Sequence, residues 1–151
     1  MKSYTIIASI LIGLIFYACS KTSYTTKPQL KVKKINRTTL NNQQDLVIEL
    51  EFTDAEGDIQ DTIWYQRISK ICPTQPGVNV SDKFKIPNVE TTSNQKGIFE
   101  FKFLYGALQT GFITLNGCSN KNDTSYFKFW MKDKAKNYSD TITTENIVFI
   151  K

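Results

Sequence analysis

Leu46-Val47-Ile48-Glu49-Leu50-Glu51-Phe52-Thr53-Asp54-Ala55-Glu56-Gly57-Asp58-Ile59-Gln60-Asp61 joins the clearest period-two pattern in the chain to its densest run of carboxylates. Leu46, Ile48, Leu50 and Phe52 alternate with Val47, Glu49 and Glu51, which predicts a strand with one face in a core and the other in water. The acidic run after it is a turn signal. Residues 61–70, with Ile63, Trp64, Tyr65 and Ile68, follow as the next strand, and their pattern leaves open which face is buried.

Working outward, the same short runs recur. Residues 30–35 suit a first strand with imperfect alternation, and Asn41-Asn42-Gln43 marks a turn. Residues 83–89 contain Pro87, which confines that run to a sheet edge or ends it. Phe99, Phe101 and Phe103 oppose Glu100 and Lys102, and residues 112–115 form another short run. In residues 124–132, Phe127, Phe129 and Met131 lie on one face and Tyr126, Lys128, Trp130 and Lys132 on the other. Ile142 and residues 147–150 close the pattern. No segment longer than about ten residues keeps a helical period.

Composition agrees. Thr, Asn, Ser, Ile and Phe outweigh Ala and Leu, a bias toward pleated, half-buried surfaces. At 151 residues, 40% hydrophobic, the chain is sized for one packed core. Seven to eight short antiparallel strands at this spacing predict an all-β sandwich of two sheets over residues 30–151, with a barrel as second choice. The chain has no histidine, which removes the commonest general base and transition-metal ligand and argues against triad hydrolases and most zinc enzymes. The net charge of +5 is spread over scattered lysines, and no nucleic-acid partner is expected from it.

The N-terminus has the layout of an address. A short positive start, Met1-Lys2, precedes an apolar run over residues 6–18, too short to span a bilayer comfortably and without a charged stop-transfer flank. A transmembrane anchor is the alternative to a cleaved signal peptide. Phe16-Tyr17-Ala18-Cys19 resembles the lipobox of bacterial lipoproteins, in the looser form found in Bacteroidota: Ala18 and Cys19 fit, whereas Phe16 and Tyr17 depart from the stricter pattern. The resemblance implies a signal peptide over residues 1–18, lipidation of Cys19, and a membrane partner held through acyl chains that each contribute about 0.8 kcal/mol per buried methylene. Residues 19–29 then form a polar tether. Ser20 lacks the aspartate of inner-membrane retention, and an acidic export run is missing, so the expected location is the outer membrane facing the periplasm, with the cell surface as the other possibility. In that oxidising compartment Cys72 and Cys118 make an even pair expected to bond; two free buried thiols are the alternative.

Three blocks carry a further resemblance: Phe52-Thr53-Asp54-Ala55-Glu56-Gly57-Asp58-Ile59, Ile86-Pro87-Asn88-Val89, and Phe129-Trp130-Met131-Lys132-Asp133-Lys134-Ala135-Lys136-Asn137-Tyr138-Ser139. Together they resemble small Bacteroidota lipoproteins with an immunoglobulin-like sandwich, and the last is similar to the Asp-x-Ala-Gly-Asn-x-Ser hairpin of bacterial Ig-like modules, with Lys136 where those have glycine. The resemblance implies the fold and says almost nothing about a ligand.

Two constellations carry candidate chemistry. Asp54, Glu56, Asp58 and Asp61 offer hard oxygen ligands, and Asp133 with Asn137 would complete a calcium shell if their loops meet. An EF-hand is excluded, because counting Asp54 as position one puts Tyr65 where the bidentate glutamate belongs. The simpler reading is a tight turn in which Gly57 supplies a positive φ and Asp54 and Asp58 accept backbone hydrogen bonds. The second constellation is the face of Tyr126, Lys128 and Trp130, which a neighbouring strand would extend with Trp64 or Tyr65 into a surface for sugar rings or a partner; core or simple packing of these rings is the alternative. Thr62 and Thr141 also resemble the three-residue O-glycosylation signal of this phylum. The expected function is non-enzymatic binding or scaffolding in the cell envelope, with no cofactor unless calcium. A carbohydrate-binding accessory module is the alternative, and a small hydrolase using the acidic turn a third.

Overall fold

The computed structural model describes residues 24–151; residues 1–23, and with them the expected signal peptide, Cys19 and the start of the tether, lie outside the described residues. Every regular element described is a strand: β1 (Gln29–Ile35), β2 (Thr39–Leu40), β3 (Asp45–Asp54), β4 (Thr62–Ser69), β5 (Val80–Lys85), β6 (Gln95–Tyr105), β7 (Ile113–Leu115), β8 (Asp123–Lys132), β9 (Ile142–Thr143) and β10 (Ile147–Phe149). They form two packed sheets, one ordered β1-β3-β6-β7 and the other β2-β10-β8-β4-β5, with β9 also on β8.

This is an immunoglobulin-like sandwich. β1, β3 and β6 stand where strands A, B and E belong, and β5, β4, β8 and β10 where C′, C, F and G belong. β7 occupies the place of strand D but follows β6 in the chain and pairs with it in parallel. β2 likewise runs parallel to β10. The ten strands therefore exceed the seven or eight expected and include two parallel pairs: β7, β9 and β10 fall on runs read from the sequence, whereas the two-residue β2 leaves too short a pattern to be seen, and the direction of pairing is set by the neighbouring strand.

The long strands obey period two. Leu46, Ile48, Leu50 and Phe52 of β3 face Phe127, Phe129 and Met131 of β8 through one apolar core, joined by Phe101, Phe103 and Tyr105 of β6. Ring centroids of Phe103 and Phe127, and of Phe101 and Phe129, lie 4.8 Å apart across it. Truncating one such buried ring would cost about 3–5 kcal/mol. The imperfect alternation of β1 has a local cause: the register against β3 shifts between Val32 and Lys34, a bulge that lets Val32 and Ile35 both pack on the core. β5 lies at the edge of its sheet with Lys83 and Lys85 exposed, charges that discourage edge-to-edge pairing.

The buried face of β4 is Ile63, Tyr65, Arg67 and Ser69. Arg67 is fully buried and stacks 4.1 Å above the Phe149 ring. Its Nη2 donates to Asp123 Oδ2 at 2.7 Å, its Nε to the Ser125 hydroxyl at 3.1 Å and its Nη1 to the Asn116 carbonyl at 2.6 Å. Ser69 and Ser125 hydroxyls donate to the two Asp123 oxygens. Each charge therefore has a counter-charge and further hydrogen bonds, the condition under which an internal ion pair is tolerated. Beside this network Cys72 and Cys118 form the expected disulfide, with Cα atoms 6.1 Å apart.

Two outcomes follow. Arg67→Met strands Asp123 in the core and should lower stability by about 3–5 kcal/mol in a denaturant titration, whereas Arg67→Met with Asp123→Leu should recover most of the loss; equal losses in the single and double variants would refute this account. Reducing the disulfide, which closes a separation of 46 residues, should cost about 4 kcal/mol on the chain-entropy model and lower the thermal midpoint.

Candidate functional site

The β3–β4 turn and the β8–β9 turn leave the sandwich from the same end, because β4 and β8 pair in register from Thr62↔Lys132 to Ser69↔Ser125. The turns dock directly. The Lys134 amide donates to the Asp58 carbonyl at 2.9 Å, and the Ala135 amide to Asp58 Oδ2 at 3.0 Å. Asp54, Asp58 and Asp133 each present a carboxylate oxygen so that the three atoms lie within 4.8 Å of one another. Asp54 and Asp133 are fully buried.

Local chemistry builds each side of this corner. Asp54 Oδ2 accepts the amides of Gly57 at 2.5 Å and Asp58 at 3.2 Å, and Gly57 takes φ +70°, as the tight-turn reading expects. On the facing turn Asp133 Oδ1 accepts the Asn137 amide at 2.7 Å and Oδ2 its side-chain Nδ2 at 2.9 Å. Lys136 adopts φ +75°, so the lysine takes the left-handed conformation that glycine supplies in the related hairpins. Residues of the tether close the corner from outside. The Thr25 carbonyl accepts the Ala55 amide, the Thr26 carbonyl accepts Asn137 Nδ2, and Lys27 pairs with Asp140 at 2.6 Å. The stretch expected to be a free tether thus includes a strap across the acidic end.

Of the six suggested calcium ligands, three converge. Glu56 is exposed and Asn137 turns its amide toward Asp133. Asp61 pairs with Lys132 at 3.0 Å, with Lys136 3.8 Å away. The Thr62 hydroxyl and then Lys132 hold the Asp61 carboxyl below its ordinary range. Asp54 is pushed the other way, first by burial and then by the like charges of Asp58 and Asp133, against the two amides that favour its ionised form. Among the described residues no ion pair involves Asp54, Asp58 or Asp133.

The outer face of β4 and β8 holds the aromatic candidates. Trp64 and Trp130 are direct cross-strand partners, and their rings lie parallel within 3° at a centroid distance of 6.0 Å. Neither is the buried tryptophan of immunoglobulin-like cores; Tyr65 takes the inward position instead. Tyr138, absent from the face suggested by sequence, extends the row 6.1 Å from Trp64 and is half exposed. Its bridge to Lys132 across the hairpin places it on the face of Lys132 and Trp130, a pairing that the tertiary structure supplies. Lys128 shares that face opposite Gln66, while Tyr126 stands nearer the other end of β8, under Lys70 at 5.6 Å.

No known protein family and no curated protein matches this sequence. Among solved structures the chain is similar to Spo0M, a sporulation control protein from Bacillus subtilis, at 7% identity and a TM-score of 0.49, covering 84% of this chain and 51% of that one. The chain thus spans about half the length of that protein.

The corner tolerates little added bulk. A Cβ on Gly57 would collide with the Thr92 backbone, whereas one on Gly111, at φ +85°, would meet nothing within 4 Å. Gly111→Ala should therefore show only the conformational penalty of about 1 kcal/mol, and Gly57→Ala clearly more, in parallel thermal melts. Equal losses would show that the Thr92 contact yields freely.

Proposed function

We propose that this chain is a lipid-anchored, non-enzymatic β-sandwich that binds or scaffolds a partner in the cell envelope of a Bacteroidota bacterium. Cys19 carries the lipid, residues 19–29 lead from the membrane, and the domain stands at the outer membrane facing the periplasm. The observation that carries this reading is the Cys72–Cys118 disulfide, since such bonds persist in oxidising compartments and are rare in the cytosol. The lipobox-like Phe16-Tyr17-Ala18-Cys19 agrees with it.

One observation favours a more specific second reading, a carbohydrate-binding module. Trp64, Trp130 and Tyr138 form a row of near-parallel rings on the outer sheet face, with an interplanar angle of 26° between Trp64 and Tyr138. Aromatic rings combine apolar faces with polar edges, a chemistry suited to the faces of pyranose rings and their hydroxyls. Lys128 on the same face and Lys83, the cross-strand partner of Trp64, add donors near the row.

The two readings separate experimentally. Cys19→Ser should move the protein from the membrane fraction to the soluble fraction without lowering its thermal midpoint; retention in the membrane would refute the lipid anchor. Glycan-array binding by the intact protein that falls at least about tenfold in Trp130→Ala would establish the carbohydrate reading. Binding unchanged by that substitution would place any glycan contact elsewhere.

A further inference from the structure

The acidic end has an electrostatic problem that its protein partners do not solve. Four buried side-chain oxygens without a hydrogen-bond partner are found among the described residues: Asp54 Oδ1, Asp58 Oδ1, Gln60 Oε1 and Gln95 Oε1. All belong to one neighbourhood of the fold. Asp54, Asp58 and Gln60 share the β3–β4 turn, and Gln95 is the cross-strand partner of Asp54. All are acceptors, and leaving a buried acceptor unpaired is costly.

Within that neighbourhood the carboxylates of Asp54, Asp58 and Asp133 converge, two of the three residues fully buried. Four of their six oxygens accept amide hydrogens, from Gly57 and Asp58, from Ala135, and twice from Asn137. The remaining two, one on fully buried Asp54, accept nothing. Lys132 and Lys136 are engaged by Asp61, and Lys134, beside Asp133, makes no ion pair with any of the three carboxylates. Three carboxylates at this spacing with no ammonium or guanidinium between them repel one another in a poorly solvated place. A bound cation answers both deficits at once, supplying positive charge and a partner for the unpaired Oδ1 atoms of Asp54 and Asp58.

We propose that Asp54, Asp58 and Asp133 form a calcium site that pins the β3–β4 turn to the β8–β9 hairpin at the end of the sandwich crossed by the Thr25–Lys27 strap. The ligand set selects the metal. It consists of hard oxygens with no imidazole or thiolate, which suits calcium or magnesium over zinc or copper, and a set of three protein carboxylates suits calcium over magnesium, which usually keeps several waters and one or two carboxylates. Asn137 supports the site from behind, since its amide and side chain hold both oxygens of Asp133 in place. Ala55 next to Asp54, and Asn137, both donate to strap carbonyls, so an ion at this corner also stiffens the exit of the chain toward its N-terminus. The site is independent of the aromatic row and of the lipid, and stands or falls separately from the function proposed above.

The test is a thermal melt of the purified full chain in millimolar calcium, in millimolar magnesium and in chelator, paired with equilibrium calcium binding. One calcium per chain and a midpoint raised by about 5 °C or more over chelator are expected, with magnesium giving a smaller rise. Asp58→Asn, at a partly exposed position, should abolish the rise, while Glu56→Gln should keep it. Hydrogen exchange on the unsubstituted protein locates the ion without any variant: calcium should slow the amides of Gly57, Asp58, Ala135 and Asn137. A folded protein that binds no calcium at millimolar concentration overturns the proposal. So does a midpoint shift that survives Asp58→Asn, or protection that appears elsewhere. A larger rise with magnesium overturns the choice of calcium.

Discussion

The antiparallel ladder between β4 and β8 is the constraint on which the rest of the molecule depends. Eight cross-strand pairs, from Thr62↔Lys132 to Ser69↔Ser125, set which side chains point inward on both strands at once. Because side chains alternate, a slip of β8 by one residue against β4 would send Trp130 into the core and expose Phe127, Phe129 and Met131. The same register decides what meets at each end. It delivers Arg67 to Asp123 and Ser125 at one end, and at the other it launches two turns from adjacent strand ends so that Asp58 reaches the backbone of Lys134 and Ala135.

These two ends treat buried charge in opposite ways. At the disulfide end, the Arg67–Asp123 pair is internally balanced: a guanidinium, a carboxylate, two hydroxyls and a carbonyl satisfy one another, and the Phe149 ring lies under the cation. At the strap end, three carboxylates are held by amide donors alone, and burial raises the Asp54 carboxyl. Amide dipoles stabilise a carboxylate but do not cancel its charge. The first arrangement explains stability from within the chain. The second leaves three carboxylates with no counter-charge from within the described residues, beside the Thr25–Lys27 strap.

Much of the fold was legible because β3, β6 and β8 are long and alternate over most of their length, with Leu, Ile and Phe on the inner face and mostly Glu, Lys or Trp on the other. β4 was not legible in the same way. Its inward residues include Arg67 and Ser69 while Trp64 and Ile68 face outward, so hydrophobicity along the strand does not report burial; Arg67 becomes a core residue only because Asp123, far along the chain, comes to meet it. β2 is too short to carry a period and depends on β10 offering an edge, while β7 and β9 were visible as short apolar runs whose partners the sequence does not name. The bulge in β1 likewise blurs a pattern that a regular strand would show.

By itself the sequence determined the all-β class, the inward faces of β3, β6 and β8, the turn chemistry around Gly57 and the candidate carboxylates, since all of these follow from residue type and near-neighbour spacing. Only the tertiary structure decided which carboxylates share a site. Asp61 lies three residues from Asp58 yet is drawn away by Lys132, whereas Asp133, on a different turn, closes on Asp54 and Asp58. Sequence proximity sets what a turn can offer, but strand pairing sets what it faces, and the electrostatics of a site belong to what it faces.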